Sequence, residues 1–108
     1  MDKQRLTELA EIARRVRVGI VDAVYSASSG HPGGSLSIAD ILTYLYFEEL
    51  RVDPANPDAP DRDRFVLSKG HCAPALYSVL AQRGFIPVED LKTAAANYAG
   101  MFKEINKL

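Results

Sequence analysis

Ser28-Ser29-Gly30-His31-Pro32-Gly33-Gly34-Ser35-Leu36-Ser37 decides how this chain is read, because it stops one helical pattern and precedes another. Glycines and a proline crowded into residues 28–35 end a helix and predict a tight loop through which no regular element continues. Upstream, Leu6, Leu9, Ala13, Val16, Ile20, Ala23 and Ala27 recur at steps of three and four, the spacing of one buried helical face, so a long first helix is predicted over 6–27. Gly19 lies inside it, where it costs about 1 kcal/mol relative to alanine and permits close packing by a neighbour. Arg14, Arg15, Arg17 and Asp22 read as the solvated face. Downstream, Ser37 is placed to cap a second helix, with Asp40 three residues on. Ile38, Ile41, Leu42, Leu45 and Tyr46 form its apolar face, and Pro54 blocks it beyond about Leu50.

The stretch from Asp53 to Asp63, punctuated by Pro54, Pro57 and Pro60, has no apolar period and reads as a surface connection. Phe65-Val66-Leu67-Ser68 is a short apolar run between charges and Gly70, which suits a buried parallel strand near 65–68. Helical spacing returns over 72–83 through Leu76, Val79 and Leu80, with Gly84 as the stop. Pro87-Val88-Glu89-Asp90 resembles the first turn of a further helix. Residues 94–108, with Tyr98, Phe102 and Ile105, are compatible with an amphipathic helix.

With 108 residues, 47% of them hydrophobic, the chain has the length and composition of one globular domain with a modest core. A chain this short leaves much of its surface in water, so marginal stability in isolation is expected. Thirteen basic against 14 acidic side chains give a net charge of -1, which disfavours nucleic-acid or acidic-membrane binding. Cys72 is the only cysteine, which rules out an internal disulfide and suits a reducing compartment; the cytoplasm is the expected location. No run approaches the roughly 20 apolar residues of a membrane span, and the N-terminus lacks a signal-type apolar core.

The His31 and His71 stretches share one design, a polar, glycine-bearing turn that holds an imidazole at or near a helix start. Helix N-termini present unpaired N–H groups and a partial positive charge, which suit phosphate oxygens. An imidazole can donate to such oxygens or move a proton near neutral pH. Lys69 adds a positive charge after the expected strand, at the end where open α/β sheets bind ligands. Taken singly each feature has a plainer account: loop histidines are more often structural, and glycine-rich turns are commonly only turns. Two histidines without acidic or cysteine neighbours at suitable spacing do not make a metal centre. Cys72 reads as a small semi-buried residue, not a nucleophile, because no third orienting group stands near it.

Residues 28–37 together with Asp-Arg-Asp-Arg-Phe-Val-Leu-Ser-Lys-Gly-His-Cys-Ala-Pro at 61–74 strongly resemble the N-terminal cofactor-binding domain of transketolases, in order, spacing and intervening connection, over roughly residues 10 to 92. The resemblance implies an α/β fold with a parallel sheet and flanking helices, of which this chain would be a partial domain, mostly helical with one short strand. It implies a transferase of carbohydrate metabolism, in the pentose phosphate pathway, that moves a two-carbon ketol unit from a ketose phosphate to an aldose phosphate. It implies thiamine diphosphate and Mg2+ as cofactors, and a dimer or other homo-oligomer when complete. Thiamine diphosphate supplies the carbanion chemistry, and the protein supplies orientation and charge stabilisation.

Onto matching positions the resemblance carries His31 as a catalytic and substrate-binding residue and His71 as a catalytic residue that also binds the diphosphate. Gly30, Gly33, Gly70 and Lys69 fall at the cofactor, and Ser29 and Ser35 at the substrate. The family's Gly-Asp-Gly segment, its downstream asparagine and the glutamate that activates the aminopyrimidine have no counterpart in these residues, so no metal ligand is assigned. Residues 94–108 do not resemble the family's continuation and read as a divergent tail. The expectation is therefore a segment inactive without the remaining transketolase domains or a C-terminal subunit. The alternative is a non-catalytic interaction or anion-binding module derived from the same domain.

Overall fold

A computed structural model describes residues 1–27 and 32–92, which form three packed helices and the connections between them. The first helix, α1, runs over Lys3–Ala27, slightly earlier than its apolar face requires, because Asp2 accepts the Arg5 N–H at 2.7 Å and so serves the open N-terminus. Leu9, Ala13, Val16, Ile20 and Ala23 are buried along it as the spacing predicts. Leu6 is exposed instead.

The second helix, α2, spans Pro32–Tyr44, and here the structure corrects the sequence reading. Residues 32–35 are helical, not loop. Proline needs no N–H partner at a first helical position and its ring presets the backbone angle, so it starts the helix where a loop was expected. Neither Gly33 nor Gly34 has a positive φ. Ser37 is accordingly no cap: it lies inside α2 and donates to the Gly34 carbonyl at 2.8 Å.

After Tyr44 the helix widens into a π turn over Leu45–Glu49, closed by Leu50 N–H to Leu45 O at 2.7 Å. Two of its carbonyls are served by distant arginines, Tyr46 O by Arg83 at 3.0 Å and Phe47 O by Arg5 at 2.8 Å, and Arg83 also reaches Val52 O beyond the turn at 3.2 Å. The proline-rich connection is a run of turns stapled at its base, where Arg51 N–H donates to the Asp63 carboxylate at 2.6 Å and Asp63 N–H to Arg51 O at 2.9 Å.

The strand expected at 65–68 is absent, and among the described residues there is no strand at all. Phe65 and Leu67 face inward while Val66 is 83% exposed, so the segment keeps the alternation of an extended chain. A strand exists through a ladder with a neighbour, and none of the described segments offers one.

A single 3-10 turn, Gly70–Cys72, then leads into α3, Ala73–Arg83. Gly84 ends α3 as expected, at φ 101°, with its N–H on Leu80 O and Ala81 O. The turn expected at 87–90 is present as a short 3-10 helix, Val88–Lys92. Val16, Ile20, Ala39, Leu42, Tyr46, Ala75 and Val79 make one core shared by the three helices. Each large member contributes about 1.5–3 kcal/mol by burial. Residues 94–108, with the expected amphipathic tail, lie outside the described residues.

Candidate functional site

The Gly70–Cys72 turn docks on the first turn of α2, and that contact brings two separate motifs of the sequence together. A Cβ built at Gly34 would stand 2.6 Å from Cys72 Sγ, so only a glycine lets this turn of helix approach the cysteine so closely, and the same Cβ would lie in ordinary contact with the His71 ring, 3.5 Å from Nε2. Cys72 is fully buried beneath the contact, in the structural role expected of it, while His71 remains exposed. The Lys69 ammonium crosses between the turns, donating to Gly34 O at 3.1 Å and to Ser37 Oγ at 3.3 Å. Lys69 O in turn accepts the Cys72 N–H at 3.0 Å, which closes the turn that carries His71.

Of the residues singled out in the sequence, Lys69, Gly70 and His71 thus sit together beside the start of α2. Gly33 is exposed on that first turn, with open space where a side chain would stand. Ser35 is placed differently from an open substrate contact: it is fully buried, and its hydroxyl has no hydrogen-bond partner among the described residues. Ser29, Gly30 and His31 lie outside the described residues, immediately before the helix on which His71 rests. Gly34 and Ser37 were missed as elements of the contact. A glycine within the helical period of residues 32–44 is the signal that would have found Gly34, since it marks close backbone approach.

The donors on these elements are an exposed imidazole, a partly buried ammonium and the first-turn N–H groups of α2. They suit an oxyanion, not a cation. Among the described residues no group of three or more histidines, cysteines or acidic side chains could hold a metal ion. No helix of the described residues is long and apolar enough to cross a membrane.

These donors are of the kind that suits a phosphate-bearing ligand, and the family profile matching residues 9–99 is "Transketolase, thiamine diphosphate binding domain". Among curated proteins, mouse transketolase is 44% identical over 90 residues, covering 83% of this chain and 14% of its own length. A 6-deoxy-6-sulfo-D-fructose transketolase subunit from a Clostridium species is 45% identical over 93 residues, covering 86% of this chain and 34% of its own. One of the subunits of the apulose-4-phosphate transketolase from Phocaeicola vulgatus is 52% identical over 73 residues, covering 68% of this chain and 26% of its own. The chain belongs to the transketolase family, in its thiamine diphosphate-binding domain, and spans between about a seventh and a third of these relatives. The exposed His71 imidazole and the N–H groups at the start of α2 are chemically suited to the diphosphate of that cofactor, whereas the Ser35 hydroxyl is enclosed.

Proposed function

We propose that this chain is the cofactor-binding portion of a transketolase, a cytoplasmic transferase that moves a two-carbon ketol unit between sugar phosphates in the pentose phosphate pathway. The observation that carries the reading is the docking of the His71 turn on the first turn of α2, next to His31 in sequence. His71 and Gly70, with Lys69 and the glycines Gly30 and Gly33, would hold the diphosphate. His31 would donate to, and accept a proton from, the sugar hydroxyls at the reacting carbon, with Ser29 on the substrate side. Thiamine diphosphate, when bound, supplies the carbanion stabilisation that breaks and remakes the carbon–carbon bond. Mg2+ would be placed by residues beyond this set.

The reading extends to architecture. Residues 1–108 form part of an α/β domain whose parallel sheet takes the extended 65–68 segment as one strand once neighbours are supplied, and 94–108 form a divergent tail. The remaining transketolase domains or a C-terminal subunit complete the site, and the complete enzyme is a homodimer. The exposed apolar side chains Leu6 on α1 and Ile41 and Tyr44 on α2 support the need for a partner.

The test mixes this chain with the remaining transketolase parts, thiamine diphosphate and Mg2+. Ketol transfer from a ketose phosphate to an aldose phosphate is expected in the mixture and not in the chain alone, and substituting His31→Ala or His71→Ala should lower it by at least about 100-fold. An inactive mixture beside an active full-length control sinks the proposal. The same exposed apolar side chains favour one other reading, a non-catalytic interaction module. That reading wins if assembly with the partner survives both histidine substitutions and no transfer is ever seen.

A further inference from the structure

Lys69 offers three ammonium protons, and two meet acceptors within the chain, Gly34 O at 3.1 Å and Ser37 Oγ at 3.3 Å. The acceptors are themselves joined, since Ser37 Oγ donates to Gly34 O at 2.8 Å, so the three groups close a triangle across the joint between the motifs. On the other side of that joint lies Cys72, fully buried against Gly34 and the only thiol of the chain. We propose that Lys69 is a positioning residue: its ammonium clamps the 70–72 turn to the first turn of α2 and so holds the His71 ring over Gly34 before any ligand arrives. The functional meaning of the clamp rests on the cofactor-site reading, whereas the clamp itself is a property of the chain alone. A lysine that served only as a direct phosphate contact would leave the turn docked when removed.

Cys72 makes the two roles separable, because its thiol is reachable only if the turn lifts. In the whole chain without cofactor, its reaction with an aromatic disulfide reagent should be slow. Lys69→Met should accelerate it by at least about tenfold, Ser37→Ala by less, and Lys69→Arg should restore most of the protection. The acceleration must also be local, appearing at denaturant concentrations where circular dichroism and the unfolding midpoint are nearly those of the unaltered chain. An unchanged thiol rate in folded Lys69→Met overturns the clamp, as does an acceleration that merely tracks whole-chain unfolding. Should Lys69→Met fail to fold, Ser37→Ala decides, and full protection in that variant overturns the clamp. Loss of thiamine diphosphate affinity in the complemented Lys69→Met enzyme with Cys72 still protected would assign a direct contact instead and also overturn it. Failure of the cofactor reading is seen separately, as absence of thiamine diphosphate binding by the complemented unaltered enzyme, which thiol protection does not depend on.

Discussion

Gly34 shows how one missing side chain can join two motifs 35 residues apart in sequence, since Lys69 Nζ, Cys72 Sγ and the His71 ring all close on it. Alanine there would gain about 1 kcal/mol of helix propensity, yet its Cβ would press on a fully buried sulfur with nowhere to retreat, an overpacking cost of about 1–3 kcal/mol. Gly34→Ala is therefore expected to lower the urea midpoint and to free the Cys72 turn. Cys72→Ala, in the same background, should recover most of that loss, so the double-mutant cycle should be strongly non-additive. Additive effects would place the strain elsewhere. The sequence made His71, Lys69 and Gly70 legible as candidates, because charge, imidazole and glycine stand in one turn, and the structure sets that turn beside the start of α2. It did not make Gly34 or Ser37 legible, because their importance comes from what lies opposite, and that is a tertiary property.

Among the elements, the crossing of α1 and α3 turns on Gly19. Ser78, fully buried, donates to Val16 O at 2.7 Å across that crossing. An added methyl at Gly19 would fall inside contact distance of Ser78 Oγ and 2.9 Å from Leu91 Cδ1. Gly19→Ala should consequently destabilise the chain by about 1–3 kcal/mol despite its better helix propensity, measured by chemical denaturation. Pairing it with Ser78→Gly should relieve part of the loss, and a stabilised Gly19→Ala would show the helices free to separate. Periodicity found α1, the body of α2, α3 and the Gly84 stop, since a 3.6-residue apolar stripe needs no knowledge of the partner. It missed the early start of α2, where proline and glycine argue for a loop only until the packing of Gly34 on Cys72 outweighs them. It also assigned a strand at 65–68 from composition that a ladder alone could realise.

At the scale of the whole molecule, stability responds to pH through the buried Tyr46. Burial pushes the Tyr46 phenol above its ordinary value near 10, with Arg62 only partly opposing it. Because the folded value lies above the unfolded one, this contribution to stability is intact below pH 10 and is lost as pH rises through the folded value. Tyr46→Phe keeps the ring, which meets Phe65 edge-on at 5.9 Å, and removes the proton. The chain should then lose less stability above pH 10 than the unaltered protein, followed by denaturation at successive pH values; identical alkaline profiles would refute this. At the acid end, the hydrogen bond from Arg14 holds the Glu11 carboxyl down at about 2. Its small contribution is present above 4.5 and lost as pH falls through about 2, and solvent screening of this exposed pair keeps it slight.

By itself the amino-acid order determined α1, the body of α2, α3 and which family the chain resembles, because periodicity, glycine chemistry and motif spacing are local or linear properties. Only the tertiary structure decided that the 70–72 turn rests on the first turn of α2, that Ser35 is enclosed, and that Arg83 and Arg5 close the π turn. Those outcomes depend on which surfaces meet, and close packing among distant residues is written in no single stretch of the chain.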